Sequence, residues 1–189
     1  MNIRQATIED CAGIARVQVD SYRTAYAGIF PHSYLEHFTY EEQTQDWRDL
    51  LFAESADVLY VAATETGEIV GYALGRPGLS DIPPYDSELV ALHVRRTSQR
   101  QGIGRRLIAT VAARLQQEGC TSLMLWTLAQ NPSRTLYERL GGQLLAEKKD
   151  WGGNEECGVA VQEVAYGWPR IEHLVTIAPE TSRVDTKQS

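Results

Sequence analysis

The stretch Glu88–Leu107, ELVALHVRRTSQRQGIGRRL, decides how the rest of the chain is read. It starts as a strand, in which Leu89, Val90, Ala91, Leu92 and Val94 are apolar enough to be buried on both faces. Arg95 to Gln101 is polar, and Gly102-Ile103-Gly104 then leads into Leu107, Ile108, Val111, Ala112 and Leu115, which recur at helical spacing. The pattern is strand, glycine-bearing loop, helix N-terminus. The first backbone N–H groups of a helix lack intrahelical partners and carry the positive end of its dipole, so such a junction suits an anion, phosphate above all. A Cβ at Gly102 or Gly104 would stand between those N–H groups and a ligand, and Arg100, Arg105 and Arg106 add cationic charge beside the turn.

Two other phosphate loops are excluded. A P-loop requires G-x-x-x-x-G-K-[ST], and the chain has no Gly-Lys pair. A dinucleotide fingerprint requires three glycines opening an N-terminal βαβ unit, whereas this loop has two and lies mid-chain.

Gln99-Arg100-Gln101-Gly102-Ile103-Gly104 has the form Q/R-x-x-G-x-G/A after a strand and before an amphipathic helix. In that context it resembles the acetyl-coenzyme A loop of the GCN5-related N-acetyltransferase (GNAT) family. A second segment, Asn131–Gly142, NPSRTLYERLGG, is similar to the family's N-x-x-A-x-x-x-Y-x-x-x-G-F. It departs twice. Arg134 stands where alanine is usual, which is expected to loosen packing near the cofactor's thiol arm, and Gly142 stands where an aromatic usually follows, which is expected to alter core packing. The resemblance covers roughly Ile3 to Trp168.

Composition bounds the rest. A chain of 189 residues with 43% hydrophobic content suits one folded domain. No apolar run approaches the roughly 20 residues needed to span a bilayer, and Met1–Gln5 lacks the apolar core of a signal peptide, so the expectation is a soluble, cytoplasmic protein. Cys11, Cys120 and Cys157 are odd in number and widely spaced, and His32, His37, His93 and His173 lack metal-ligand spacing, so reduced thiols and no metal are expected. A net charge of −7 argues against nucleic-acid binding and is compatible with a cationic substrate.

Read in order, Asn2–Ala6 is a strand, and Thr7-x-x-Asp10 opens a helix that carries Ile8, Cys11, Ile14, Ala15 and Val17 inward. Asp20–Pro31 is aromatic and broken by Gly28 and Pro31, and Tyr40–Phe52 is a further helix with Trp47, Leu50 and Leu51 inside. Asp57–Thr64 and Glu68–Arg76 form a hairpin, and Pro77–Asp86 is a loop. After the Gly102 helix come a strand at Thr121–Thr127, a short helix to Leu140, and an antiparallel pair at Gln143–Glu147 and Gly158–Tyr166 joined by the loop Lys148–Cys157. Residues 1–168 are the expected domain; 169–189 is an extension, with an edge strand at Ile171–Ile177 and a mobile tail.

The resemblance implies an α/β (α+β) fold, a mixed and mostly antiparallel sheet of six to seven strands flanked by about four helices and splayed between the fourth and fifth strands. It also implies the site. The pyrophosphate would sit on Arg100, Gln101, Gly102, Ile103, Gly104 and Arg105, and the pantetheine arm along Leu92, His93 and Val94, with the Leu92 N–H on the thioester carbonyl and Asn131 holding the arm. His93 itself reads as a packed or solvent-facing ring. Attack needs a neutral amine, although an alkylamine is protonated at neutral pH, so a base is required. Glu88 matches the family's catalytic glutamate, with Asp86 and Asp81 close enough in sequence to replace it. Tyr137 matches the tyrosine that protonates the leaving thiolate. Tyr22, Tyr26 and Phe30 are candidates for the acceptor wall or for helix packing.

The function so implied is acetyl transfer from acetyl-coenzyme A to a primary amine of a small molecule or peptide, by direct attack in a ternary complex; no cysteine falls in the motif strand or loop. Small amines, polyamines included, rank above protein termini and lysines because of the acidic balance. The competing reading is a cofactor-binding sensor or pseudoenzyme. The edges of the last strands leave a homodimer open.

Overall fold

The computed structural model describes residues 1–53, 55–78, 80–149 and 160–176. In chain order the elements are β1 (Asn2–Gln5), α1 (Cys11–Ala25) after a 3₁₀ turn at Ile8–Asp10, α2 (His32–Glu36), α3 (Tyr40–Phe52), β2 (Val58–Ala63), β3 (Ile69–Pro77) and β4 (Ser87–Val94). There follow α4 (Ile103–Gln117), β5 (Leu123–Leu128), α5 (Arg134–Arg139), β6 (Gln143–Lys149), β7 (Gln162–Trp168) and α6 (Glu172–Val175). They form a seven-stranded sheet in the order β1-β2-β3-β4-β5-β7-β6, in which every neighbouring pair is antiparallel except β4–β5.

Strand alternation sorts the core into two layers. Val58, Ala62, Ala73, Leu89, Leu123, Leu125, Val164, Tyr166 and Trp168 face α4, while Leu59, Val61, Ala63, Tyr72 and Leu74 face α1 and α3. α4 lies close on the sheet because β3 offers it glycine: a Cβ on Gly75 would stand 2.4 Å from Val111 Cγ1 and 3.0 Å from Leu115 Cδ1. Around the start of α1, Asp10 accepts from the Thr7 N–H (2.8 Å) and from both terminal nitrogens of Arg4 (2.6 and 2.8 Å), which joins the first helix to β1.

The β3–β4 ladder shifts register at one point: Leu74 pairs with Ala91 and Gly75 with Leu89. Val90 is therefore an extra residue in β4, a β-bulge. It re-phases the strand, so that Leu89, Leu92 and Val94 pack toward α4 whereas Ala91 packs with the α1 layer and His93 lies on Tyr22 and Tyr72.

Two expectations need correction. β4 is not buried on both faces: Val90 is 39% exposed and Ala91 to Val94 are half-buried, because the strand separates from β5 instead of being covered by it. Ile171–Val175 is not an edge strand but the helix α6 and its lead-in, since Ile171 and Leu174, three apart, place two fully buried side chains in the α4-side core. The loop after Lys149, Cys157, the first residues of the strand placed at Gly158–Tyr166, and the tail beyond Thr176 lie outside the described residues. Among the described residues no helix is long and apolar enough to cross a membrane, and no His, Cys, Asp or Glu group is arranged to hold a metal.

Candidate active site

The seam between β4 and β5 is where the site forms. At its root the Asp86 carboxylate accepts from the Thr121 N–H (2.9 Å) and hydroxyl (2.7 Å) and from the Ser122 N–H (2.9 Å) and hydroxyl (2.9 Å), and the Ser87 hydroxyl donates to the Ser122 carbonyl. These side chains clamp two parallel strands that share a single register pair, Glu88–Met124. Beyond that pair the strands part. A cavity of about 480 Å³ opens between them, lined on the β4 side by Glu88 to Val94 and on the other by Leu125 to Leu128, Asn131, Ser133 and Tyr137.

Glu88 stands at the last paired position, on the wall of this cavity. Desolvation pushes its carboxyl above the usual carboxylate range and the nearby Asp81 charge adds to this, against opposing contributions from Arg76 and Lys148. The two acids suggested as replacements are otherwise engaged. Burial works against ionisation of Asp86, but the four bonds from Thr121 and Ser122 outweigh it and hold that carboxyl low, and Asp86 does not line the cavity. Asp81 accepts from the Trp126 indole N–H at 2.9 Å.

Tyr137 comes from α5, whose N-terminal turn is set by Asn131: its side-chain oxygen accepts from the Ser133 N–H at 2.9 Å while its amide donates to Thr127 Oγ1 at 3.0 Å. The phenol is 5% exposed, and burial pushes its pKa up, so it is a proton donor throughout the neutral range. The departures from the family pattern nearby are compensated. Arg134 does not loosen the packing; its Nε donates to the Tyr166 hydroxyl (3.0 Å) and its Nη1 to the Ala129 carbonyl (2.8 Å). At Gly142 a Cβ would meet Trp168 at 2.8 Å, and the Trp168 indole, bonded to the Leu140 carbonyl at 2.8 Å, fills the space that a larger residue would take.

The loop from Gln99 to Arg105 lies at the α4 end of the seam, and Gln99, whose amide donates to the Val94 carbonyl at 3.0 Å, is its cavity-lining member. Arg100 (φ 63°) and Gly102 (φ 77°) both adopt the left-handed conformation, which turns the chain sharply into α4. Gly102 has open space where its Cβ would be, whereas at Gly104 a Cβ would come within 3.3 Å of Leu136 and reach Leu92 and Val94 at 3.9 and 4.0 Å. Ile103 is buried beneath the turn, and Arg100, Gln101 and Arg105 are exposed. The loop therefore presents α4's first turn, flanked by arginines, to solvent, which fits a pyrophosphate, and the gap between β4 and β5 fits an extended arm.

His93 and the tyrosines complete the α1 side. The His93 ring lies 5.5 Å from that of Tyr22 and 5.3 Å from that of Tyr72, and burial lowers its pKa to about 4, so it is a neutral packed ring. Tyr22 and Tyr26 line the cavity, and burial pushes both phenols up. Phe30 does not line it; it is buried with Leu35, Leu128 and Val161, edge-on to Tyr26.

Sequence reasoning missed part of the lining. Gln18, Trp126, Lys148 and Glu163 all reach the cavity. Gln18 is held by the Trp47 indole N–H at 2.6 Å, and Glu163 is 7% exposed with Lys148 Nζ 3.3 Å from its carboxylate. A carboxylate within the apolar run of a central strand, Gln162–Trp168, was the available signal for Glu163; the others depend on strand order that sequence does not display.

Comparisons with known proteins bear on the family and the fold. Residues 19–142 match the model of the acetyltransferase (GNAT) family. The chain is 37% identical over 177 residues to the uncharacterized N-acetyltransferase YuaI of Bacillus subtilis, covering 94% of this chain and 98% of that protein. It is 22% identical over 134 residues to the spermidine N(1)-acetyltransferase of Thermoplasma acidophilum, covering 69% and 80% of the two chains. Among solved structures, the PaiA N-acetyltransferase of Thermoplasma acidophilum in complex with coenzyme A superposes with a TM-score of 0.63 at 18% identity, covering 86% of this chain and 96% of that one.

Proposed function

This chain belongs to the acetyltransferase (GNAT) family, and we propose that it moves the acetyl group of acetyl-coenzyme A directly onto a primary amine, both substrates being bound together. The observation that carries this reading is the placement of a desolvated carboxylate, Glu88, and a buried phenol, Tyr137, on the walls of one cavity opened by the parting of β4 and β5. Acetyl-coenzyme A supplies the activated acyl group as a thioester.

The protein's own groups do the rest. The first turn of α4 with Arg100 and Arg105 would hold the pyrophosphate, and Leu92, Val94 and Asn131 the arm. Glu88, its pKa raised by desolvation first and by the Asp81 charge second, is a better proton acceptor than an exposed glutamate. It takes the ammonium proton, directly or through water, and so leaves the amine lone pair free for the carbonyl carbon. Tyr137 would donate its proton to the sulfur as the C–S bond breaks, and the second proton, shed by the nitrogen as the amide forms, would restore the phenol. Asp86 and Asp81 are unsuited to the base role because their oxygens already accept from Thr121, Ser122 and Trp126.

The acidic balance of the chain and the named substrate of the Thermoplasma acidophilum relative support a small cationic amine as acceptor. Calorimetric titration with acetyl-coenzyme A, coenzyme A and ATP, followed by an amine panel read by thiol release and by mass spectrometry of the acetylated product, tests the reading. Selective binding of the two coenzyme A species with acetylation of amines supports it. Absence of coenzyme A binding, or activity confined to peptides, overturns it or its substrate class respectively.

A further inference from the structure

Three of the missed residues, Trp126, Glu163 and Lys148, share one face of the sheet. Leu128 of β5 is opposite Glu163 of β7, which is opposite Lys148 of β6, and Trp126 is two residues from Leu128. Directly opposed residues and residues two apart project to the same side, so Trp126, Glu163 and Lys148 point together into the cavity. The Lys148 ammonium lies 4.0 Å from the centre of the Trp126 ring and 3.3 Å from the Glu163 carboxylate. The indole is fixed by its bond to Asp81, and the Glu163 side chain is 10% exposed. An aromatic face and a nearly buried carboxylate on either side of a cation form a cradle for an alkylammonium. Lys148 is its occupant, but its side chain is 40% exposed and sits on the sheet's edge strand, free to rotate outward.

We propose that Trp126 and Glu163 form a subsite for a second cationic group of the acceptor, which displaces the Lys148 ammonium while the acceptor's primary amine reacts at Glu88. The inference rests on the amine-acetyltransferase reading and makes it narrower: the preferred acceptor is a diamine or polyamine rather than a monoamine. Along the strands, the pairings Glu88–Met124 and Leu128–Glu163 put the two carboxylate-bearing positions four residues apart in one direction and two strand spacings apart in the other, on the order of 15 Å between backbones. The side chains converge on the cavity from these positions, so the two nitrogens of the acceptor are separated by an alkyl chain rather than adjacent.

The test uses α,ω-diamines of increasing length beside n-alkylamines of the same length, with binding followed by calorimetry and turnover by thiol release. In the wild type, kcat/KM for the diamine exceeds that for the matched monoamine and peaks at one chain length. Glu163→Gln keeps the shape but removes the charge, and lowers the diamine-to-monoamine ratio by about tenfold or more, chiefly through KM. Lys148→Met removes the internal competitor and moves the ratio the other way, about threefold to tenfold upward. A ratio that neither substitution changes overturns the subsite while leaving acetyl transfer standing. Diamine binding that depends on Glu163 without any acetylation would instead support the subsite and overturn the transferase reading.

Discussion

The seam between β4 and β5 has a closed root and an open mouth, and the two ends use the same kind of residue for opposite purposes. At the root, Asp86 is saturated by four donors from Thr121 and Ser122 and serves as a staple. Two residues on, Glu88 is the last to find a partner across the seam, and its carboxylate is desolvated on the cavity wall. The edge of β4 toward β3 sharpens the contrast, with seven register pairs and one bulge. A parallel pair this short persists because side chains clamp it, and the proposed base stands where the clamp ends.

The strongest way to test that division is to disable the mouth without touching the root. Glu88→Gln is expected to lower kcat by about 10²- to 10⁴-fold, the usual contribution of a positioned base, with the calorimetric affinity for acetyl-coenzyme A unchanged. An unchanged kcat would move the base elsewhere in the cavity. Next in size is Tyr137→Phe. Loss of the donor to the departing sulfur is expected to lower kcat about 10- to 100-fold at constant KM, and the deficit should shrink for acyl donors whose thiol leaves more readily. A deficit that does not depend on the leaving group would make Tyr137 a packing residue.

How much of this was legible beforehand differs between the two ends of the seam. The strand, the loop and the helix at Glu88–Leu107 carry their own periodicities, and the left-handed turn at Gly102 is marked by its glycine, so the strand–loop–helix end was readable locally. The α1 helix, the β2–β3 hairpin and the position of Tyr137 followed for the same reason. What failed was long-range. The splay of β4 from β5 was available only through the family resemblance, since the bulge at Val90 and the loss of a neighbour leave the strand's apolar composition unchanged, and composition alone suggested burial on both faces. The Trp126–Glu163–Lys148 cluster depends on β7 inserting between β5 and β6, which brings together residues up to 37 positions apart, as the numbering of Trp126 and Glu163 shows. Ile171–Val175 has a short apolar pattern that suits a strand or a helical turn equally, and packing against α4 decided in favour of the helix.

Breaking the root should cost stability instead of chemistry. Asp86→Ala strands the N–H groups of Thr121 and Ser122 and is expected to destabilise by about 2 kcal/mol, lowering the Tm by roughly 4–8 °C. Glu88→Gln should not lower the Tm at neutral pH. A carboxyl whose pKa is raised by folding favours the native state at low pH, and that contribution is lost as pH rises through the raised value, so the ionised Glu88 is a burden that the amide removes. Thermal unfolding of both variants at pH 7 checks the pair; a parallel fall would show that root and mouth are one structural unit.

The smallest effect concerns His93, on the α1 side of the mouth. Burial holds its imidazole neutral down to about 4, whereas in the unfolded chain it takes up a proton near 6.5. Between those values the unfolded chain binds more protons than the native one, so the stability associated with His93 is complete above about pH 6.5 and declines as pH falls toward 4. His93→Phe preserves a ring between Tyr22 and Tyr72 but cannot titrate. Relative to wild type, its stability should rise on acidification through that window by on the order of 1 kcal/mol, allowing for water in the adjoining cavity. The difference between the two denaturation curves isolates this residue from the carboxylates that titrate in the same range. A difference that stays flat would mean that His93 is protonated in the native protein, and would place a charge on the acceptor side of the cavity where the packing leaves a neutral ring.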